Sequence, residues 1–174
     1  MELIFNYALD RKKLTREEFI ARLRVPVLVY KPGKKDESRF RTSTEVGSMI
    51  KNIDLEAVKK LIRAEAHQYR CVRLQTEGNA GTRDFTIGRV PSCQVVINLT
   101  SVSKQHATLT VHSDGKVFIK DLGSKNGTRV DGKAVGETPV RLKPPQTIVL
   151  GGNDLSVLDP GGFYDLLTDF LVTT

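Results

Sequence analysis

From Cys71 to Leu158 the apolar residues recur at a period of two, in short runs broken by turn formers. The runs include Val72 and Leu74, Phe85-Thr86-Ile87, Val95-Val96-Ile97, Ala107-Thr108-Leu109-Thr110-Val111 and Val117-Phe118-Ile119. Thr128-Arg129-Val130, Val140-Arg141-Leu142, Thr147-Ile148-Val149-Leu150 and Leu155-Ser156-Val157-Leu158 complete the series. Successive side chains of a strand point to opposite faces, so such a run has one face to bury. Glu77 to Gly81, Ser113-Asp114-Gly115 and Asp131-Gly132 supply turns between runs. Many short β-branched strands at this spacing predict a β-sandwich over residues 71–159.

The flanks have a different rhythm. Thr15 and Glu18 form a capping box, in which hydroxyl and carboxylate each satisfy a free backbone N–H. Leu14 and Phe19 are spaced as a hydrophobic staple, and Phe19, Ile20 and Leu23 share a helical face. Pro26 ends that helix, and Val27-Leu28-Val29-Tyr30 reads as a short strand. Lys31-Pro32-Gly33 opens a polar loop to about residue 48. A second helix is expected from Asp54, as N-cap, to about His67, with a stripe of Leu55, Val58, Leu61 and Ile62. After Pro160-Gly161-Gly162, Phe163, Leu166, Leu167, Phe170 and Leu171 mark an amphipathic helix that packs on the sandwich or on the N-terminal helices. The expected division is a small α/β extension over 1–70, a sandwich over 71–159 and a helix over 160–174.

Charge is unevenly placed. The net charge of +7 splits into +6 for residues 1–70, where 16 Lys and Arg face 10 Asp and Glu, and +1 for the rest, where 11 face 10. The basic extension could favour an acidic partner or nucleic acid, but no nucleic-acid motif accompanies it. Cys71 and Cys93 have no metal-ligand spacing and are expected to be free buried thiols in a reducing compartment. No apolar run approaches membrane-spanning length, and the N-terminus lacks the order of a secretory signal, so the cytoplasm is expected. No P-loop, metal-ligand cluster or carboxylate pair points to an enzyme, and no cofactor or metal is expected.

Three short signatures fall in order at strand ends: Gly88-Arg89, Ser103-Lys104-Gln105-His106 and Asn126-Gly127-Thr128, the last led by Asp121-Leu122-Gly123-Ser124-Lys125. In order and spacing, residues 71–159 resemble the forkhead-associated (FHA) domain, a β-sandwich that binds phosphothreonine peptides. The resemblance implies a mainly β fold of two antiparallel-rich sheets. It also implies a non-catalytic adaptor that couples a phosphothreonine-containing protein, and a Ser/Thr kinase, to signalling or assembly.

By that resemblance Arg89 is the main phosphate ligand, its planar N–H fork matching phosphate oxygens, and Ser103 is the second. Lys104, where the family often has arginine, points to the phosphate or to solvent, and Lys125 is a phosphate-side contact. The Asn126 amide bonds the peptide main chain. Gly88, His106, Gly127 and Thr128 support the loops, with His106 structural rather than a catalytic base. Thr100, Ser101 and Val102, together with Arg129, belong to loops that set residue preference after the phosphothreonine. Gln94 departs from the family pattern and bears on loop packing. Thr42 or Thr44, once phosphorylated, is a conceivable ligand in cis.

Overall fold

The computed structural model describes residues 2–3, 14–33, 68–76 and 81–171. The expected helix over 54–67, most of the polar loop, and Thr42 and Thr44 lie outside the described residues. The strands are β1 (Glu2–Leu3), β2 (Val27–Tyr30), β3 (Arg70–Arg73), β4 (Thr82–Gly88), β5 (Val95–Val96) and β6 (Ala107–His112). Then come β7 (Val117–Asp121), β8 (Thr128–Val130), β9 (Lys133–Val135), β10 (Val140–Leu142), β11 (Gln146–Leu150) and β12 (Asn153–Leu158). Among the described residues two helices, α1 (Arg16–Leu23) and α2 (Pro160–Leu171), accompany the strands.

Two sheets form the sandwich. One runs β1-β3-β2-β12-β11-β8-β9, the other β10-β7-β6-β4-β5. Pairing is antiparallel except between β4 and β5, where Ile87 faces Val95 and Gly88 faces Val96. The period-two pattern explains the core. Phe85, Ile87, Leu109, Val111, Val117 and Ile119 point inward from the smaller sheet and meet Leu28, Tyr30, Ile148, Leu150, Leu155 and Val157 of the larger. Each such side chain contributes roughly 1.5–3 kcal/mol on full burial.

β2 is buried along its whole length because both its faces are covered. Leu28 and Tyr30 enter the sandwich core, whereas Val27 and Val29 pack under the helices with Phe19, Leu23, Cys71, Leu158, Phe163 and Leu166. That is why its four residues are continuously apolar rather than alternating. β2 lies between β3 and β12, so sheet hydrogen bonding runs across residue 70.

α1 begins at the expected capping box. Thr15 N–H donates to Glu18 Oε2 at 2.8 Å and Glu18 N–H donates to Thr15 Oγ1 at 3.2 Å. It stops at Arg24, which takes the left-handed conformation at φ 57°. The two helices meet through Phe19, whose ring centroid lies 6.3 Å from that of Phe163 and 5.4 Å from that of Tyr164. β1 and β9 were not foreseen from sequence.

Candidate functional site

Three loops meet at one end of the sandwich: β4–β5, β5–β6 and β7–β8. Backbone hydrogen bonds fasten the first two together. Arg89 N–H donates to Ser103 O at 3.0 Å and to Lys104 O at 3.2 Å. The close approach requires Gly88. A Cβ there would stand 2.2 Å from Lys104 O and 2.8 Å from Cys93 Sγ. The third loop is joined to the second by Lys125 N–H, which donates to Ser103 Oγ at 3.0 Å, and by Asn126 Nδ2, which donates to Ser101 O at 2.7 Å.

His106 sits beneath this junction with no exposed surface. Ser103 N–H donates to its Nδ1 at 3.1 Å, so Nδ1 carries no proton. Nε2 therefore holds the proton and donates to Gly127 O at 3.1 Å. One neutral ring spans two loops. Burial holds its pKa below the ordinary histidine value, against the pull of the Gly127 carbonyl and of Asp121. Both ring nitrogens are engaged by backbone, and the Ser103 hydroxyl accepts from Lys125 rather than from the ring. The serine and histidine are thus not arranged as nucleophile and base.

Asp121 organises the third loop. Its carboxylate accepts from Ser124 N–H and Ser124 Oγ, each at 2.7 Å, and from Thr128 Oγ1 at 2.6 Å. Burial alone would raise its pKa. The bonds from Thr128 and Ser124, with His106 nearby, outweigh burial and hold the carboxyl below its usual range. Ser124 Oγ also accepts from Gly127 N–H at 3.0 Å, closing a turn in which Gly127 has φ +74°.

The side chains left facing outward are donors. Arg89 is half-buried, and its Nε is a buried polar atom with no partner among the described residues. Ser103 Oγ accepts from Lys125, which leaves its own proton for an external acceptor. Lys104, Lys125 and Asn126 are exposed. A guanidinium, a hydroxyl, a carboxamide and two ammonium groups on one rim can hold an anion bearing several oxygens. Among the described residues no group of three metal-ligating side chains occurs.

Val102 departs from its expected place in a peptide-facing loop. Its side chain is 1% exposed and belongs to the sandwich core, so it anchors the loop from below. Thr100 is exposed and Ser101 half-buried. Arg129 lies outward on β8, where it donates to Gly132 O at 3.4 Å. Gln94 Oε1 accepts from Thr86 N–H at 2.9 Å and so ties the approach to β5 onto β4.

Two supports escaped the sequence reading. Asn153 Nδ2 donates to Ser101 Oγ at 2.9 Å across 52 residues, bracing the β5–β6 loop from the β11–β12 turn. Pro32 O accepts from Asn98 N–H at 2.7 Å, so the segment after β2 borders the same loop.

Fold and site together define a β-sandwich module with donor side chains carried on three joined loops at one end. Residues 85–151 match the FHA domain family. In architecture it is similar to the crystal structure of the FHA domain of CT664 from Chlamydia trachomatis. The identity is 20%, with 77% of this chain and 97% of that one covered at a TM-score of 0.50. In sequence it is 40% identical over 58 residues to the protein phosphatase 1 regulatory inhibitor subunit PPP1R8 homolog of Arabidopsis thaliana, covering 33% of this chain. It is 33% identical over 66 residues, 37% of this chain, to human mediator of DNA damage checkpoint protein 1. The matches span only 16% and 3% of those two relatives.

Proposed function

We propose that this protein is a non-catalytic adaptor that binds a phosphothreonine-containing partner in a Ser/Thr-kinase-dependent signalling or assembly system. FHA domains are phosphothreonine-peptide-binding modules without enzymatic activity. The observation that carries the reading is the junction of Arg89, Ser103 and Asn126. Three loops are hydrogen-bonded into one rim, with a buried guanidinium nitrogen lacking any partner among the described residues.

In this reading Arg89 and the free Ser103 proton hold phosphate oxygens, and Lys104 and Lys125 add positive charge beside them. Asn126 exchanges its bond to Ser101 O for one to the peptide main chain. Gly88, His106, Gly127 and Thr128 fix the loops, and Thr100, Ser101 and Arg129 border the residues after the phosphothreonine. Cys71 and Cys93 are buried thiols outside any disulfide, which supports a reducing compartment such as the cytoplasm. Among the described residues no helix is long and apolar enough to cross a membrane.

The test is a titration of the whole chain with a phosphothreonine peptide, its phosphoserine twin and the unmodified peptide. Binding is expected for the first and weaker or absent for the others. Equal binding to all three would refute phosphate recognition.

A further inference from the structure

We propose that Asn126 is a site of spontaneous covalent modification, deamidation, held in check by two loop hydrogen bonds and ending ligand binding when it proceeds. The modification stands on local chemistry alone; its effect on binding rests on the phosphothreonine reading above.

The Asn126-Gly127 pair brings together what the reaction requires. Asn126 is the one asparagine of six in the chain that precedes a glycine. Both residues are exposed, and a Cβ built on Gly127 would meet nothing within 4 Å, so water reaches the turn. With no side chain on Gly127, its backbone nitrogen is unshielded. That nitrogen attacks Asn126 Cγ and a cyclic imide forms. The new N–Cγ bond replaces the Cγ–Nδ2 bond, and Nδ2 leaves as ammonia with the proton from Gly127 N–H. Water then opens the imide at either carbonyl, giving aspartate or isoaspartate with no oxidant or reductant.

Both nitrogens of that reaction are restrained in the folded protein. The attacking Gly127 N–H donates to Ser124 Oγ at 3.0 Å, and the leaving Nδ2 donates to Ser101 O at 2.7 Å. Neither reacts until its bond opens. Both bonds lie in an exposed loop, where local opening costs least, so the fold slows the step without abolishing it.

The product no longer fits. A carboxylate has no N–H to donate, so an acceptor faces Ser101 O where Nδ2 stood. Isoaspartate also routes the main chain through Cβ and lengthens the turn. Gly127 O, which accepts from His106 Nε2 and from Gly151 N–H, each at 3.1 Å, is displaced with it. The new negative charge stands one residue from the Lys125 N–H that holds Ser103, and it repels a phosphate there.

The experiment incubates the full chain in mildly alkaline buffer and reads conversion at each asparagine by peptide mass spectrometry. Asn126 is expected to convert fastest of the six in the folded chain, and faster again in urea. Ser124→Ala, with folding checked by its melting curve, is expected to speed conversion roughly two- to twelvefold, the factor of one net hydrogen bond. If that variant does not fold, the urea comparison carries the same test. Asn126→Asp, the product made genetically, is expected to melt lower and to bind a phosphothreonine peptide roughly tenfold more weakly or worse. Conversion at Asn126 no faster than at the other asparagines, or equal rates folded and in urea, overturns the inference. Native-like melting and binding of Asn126→Asp overturn its consequence. Failure of the native chain to bind any phosphothreonine peptide overturns phosphothreonine recognition instead, and the mass readout still decides whether Asn126 is modified.

Discussion

Lys125 N–H donates to the Ser103 hydroxyl oxygen at 3.0 Å, joining two loops that lie 22 residues apart in sequence. The bond fills an acceptor position on the oxygen and leaves the hydroxyl proton available to another acceptor. In the proposed mode Ser103→Ala loses this tether and one donor to the phosphate together. The expected cost is about 1.5–3 kcal/mol of phosphopeptide binding, as for a hydrogen bond to a charged group. Isothermal titration checks it, and unchanged affinity would remove Ser103 from the site.

Arg89→Ala is expected to weaken phosphopeptide binding by roughly 1.5–3 kcal/mol or more, because the guanidinium is the cation drawn furthest into the fold. Arg89→Lys should recover only part of this, since an ammonium keeps the charge without the planar fork. If the lysine variant binds like the native protein, paired N–H geometry plays no part. The Ala variant should melt no lower than the native protein, since its Nε has no partner to lose among the described residues.

His106 predicts an acid-sensitive fold. Its pKa is lowered in the folded protein, so the unfolded chain binds the proton more readily. Stability from the neutral ring is complete above the unfolded value of about 6.5 and declines as pH falls below it toward the folded value. A proton on Nδ1 would face the Ser103 N–H and break that bond. The melting temperature should therefore fall on acidification through this window, with a shallower slope in His106→Asn. Identical slopes would dissociate the ring from the effect.

Thr128→Val keeps the shape of a buried side chain and removes the donor to Asp121 Oδ2. Leaving part of a buried carboxylate unsatisfied costs about 1–3 kcal/mol. In a chain of this size that is a fall of roughly 2–4 °C in melting temperature per kcal/mol. Differential scanning calorimetry reads the result directly. A neutral outcome would mean that Ser124 alone satisfies the carboxylate.

A fragment of residues 71–159 is expected to fold poorly, although it contains the whole FHA match. It lacks β2, which lies between β3 and β12 and sends Leu28 and Tyr30 into the sandwich core. Circular dichroism and thermal melting of the fragment beside the full chain make the comparison. A cooperative melt at the native temperature would show that β2 is dispensable.

Much of this architecture could be read from the chain. Alternation in Ala107 to Val111 and Val117 to Ile119 identified strands, and the Thr15–Glu18 spacing marked where α1 starts. These are local signals, carried by neighbours within one turn or one pleat. The membership of β2 was less legible. Val27-Leu28-Val29-Tyr30 is apolar throughout, which announces burial on both faces without saying between what. Val102 looked like a member of a peptide-facing loop because nothing in its own neighbourhood records that its side chain turns inward.

The sequence by itself determined which residues alternate, where the helix is capped, and the order of Arg89, Ser103 and Asn126 along the chain. Tertiary structure alone decided that these three share a rim, that His106 is neutral with its proton on Nε2, and that Asn153 and Pro32 hold the Ser101 loop. The reason is one of range. Pleat and capping interactions act between residues a few positions apart, whereas the hydrogen bonds that join the loops of the site to one another and to their supports close over 14 to 66 residues and exist only once the two sheets have packed.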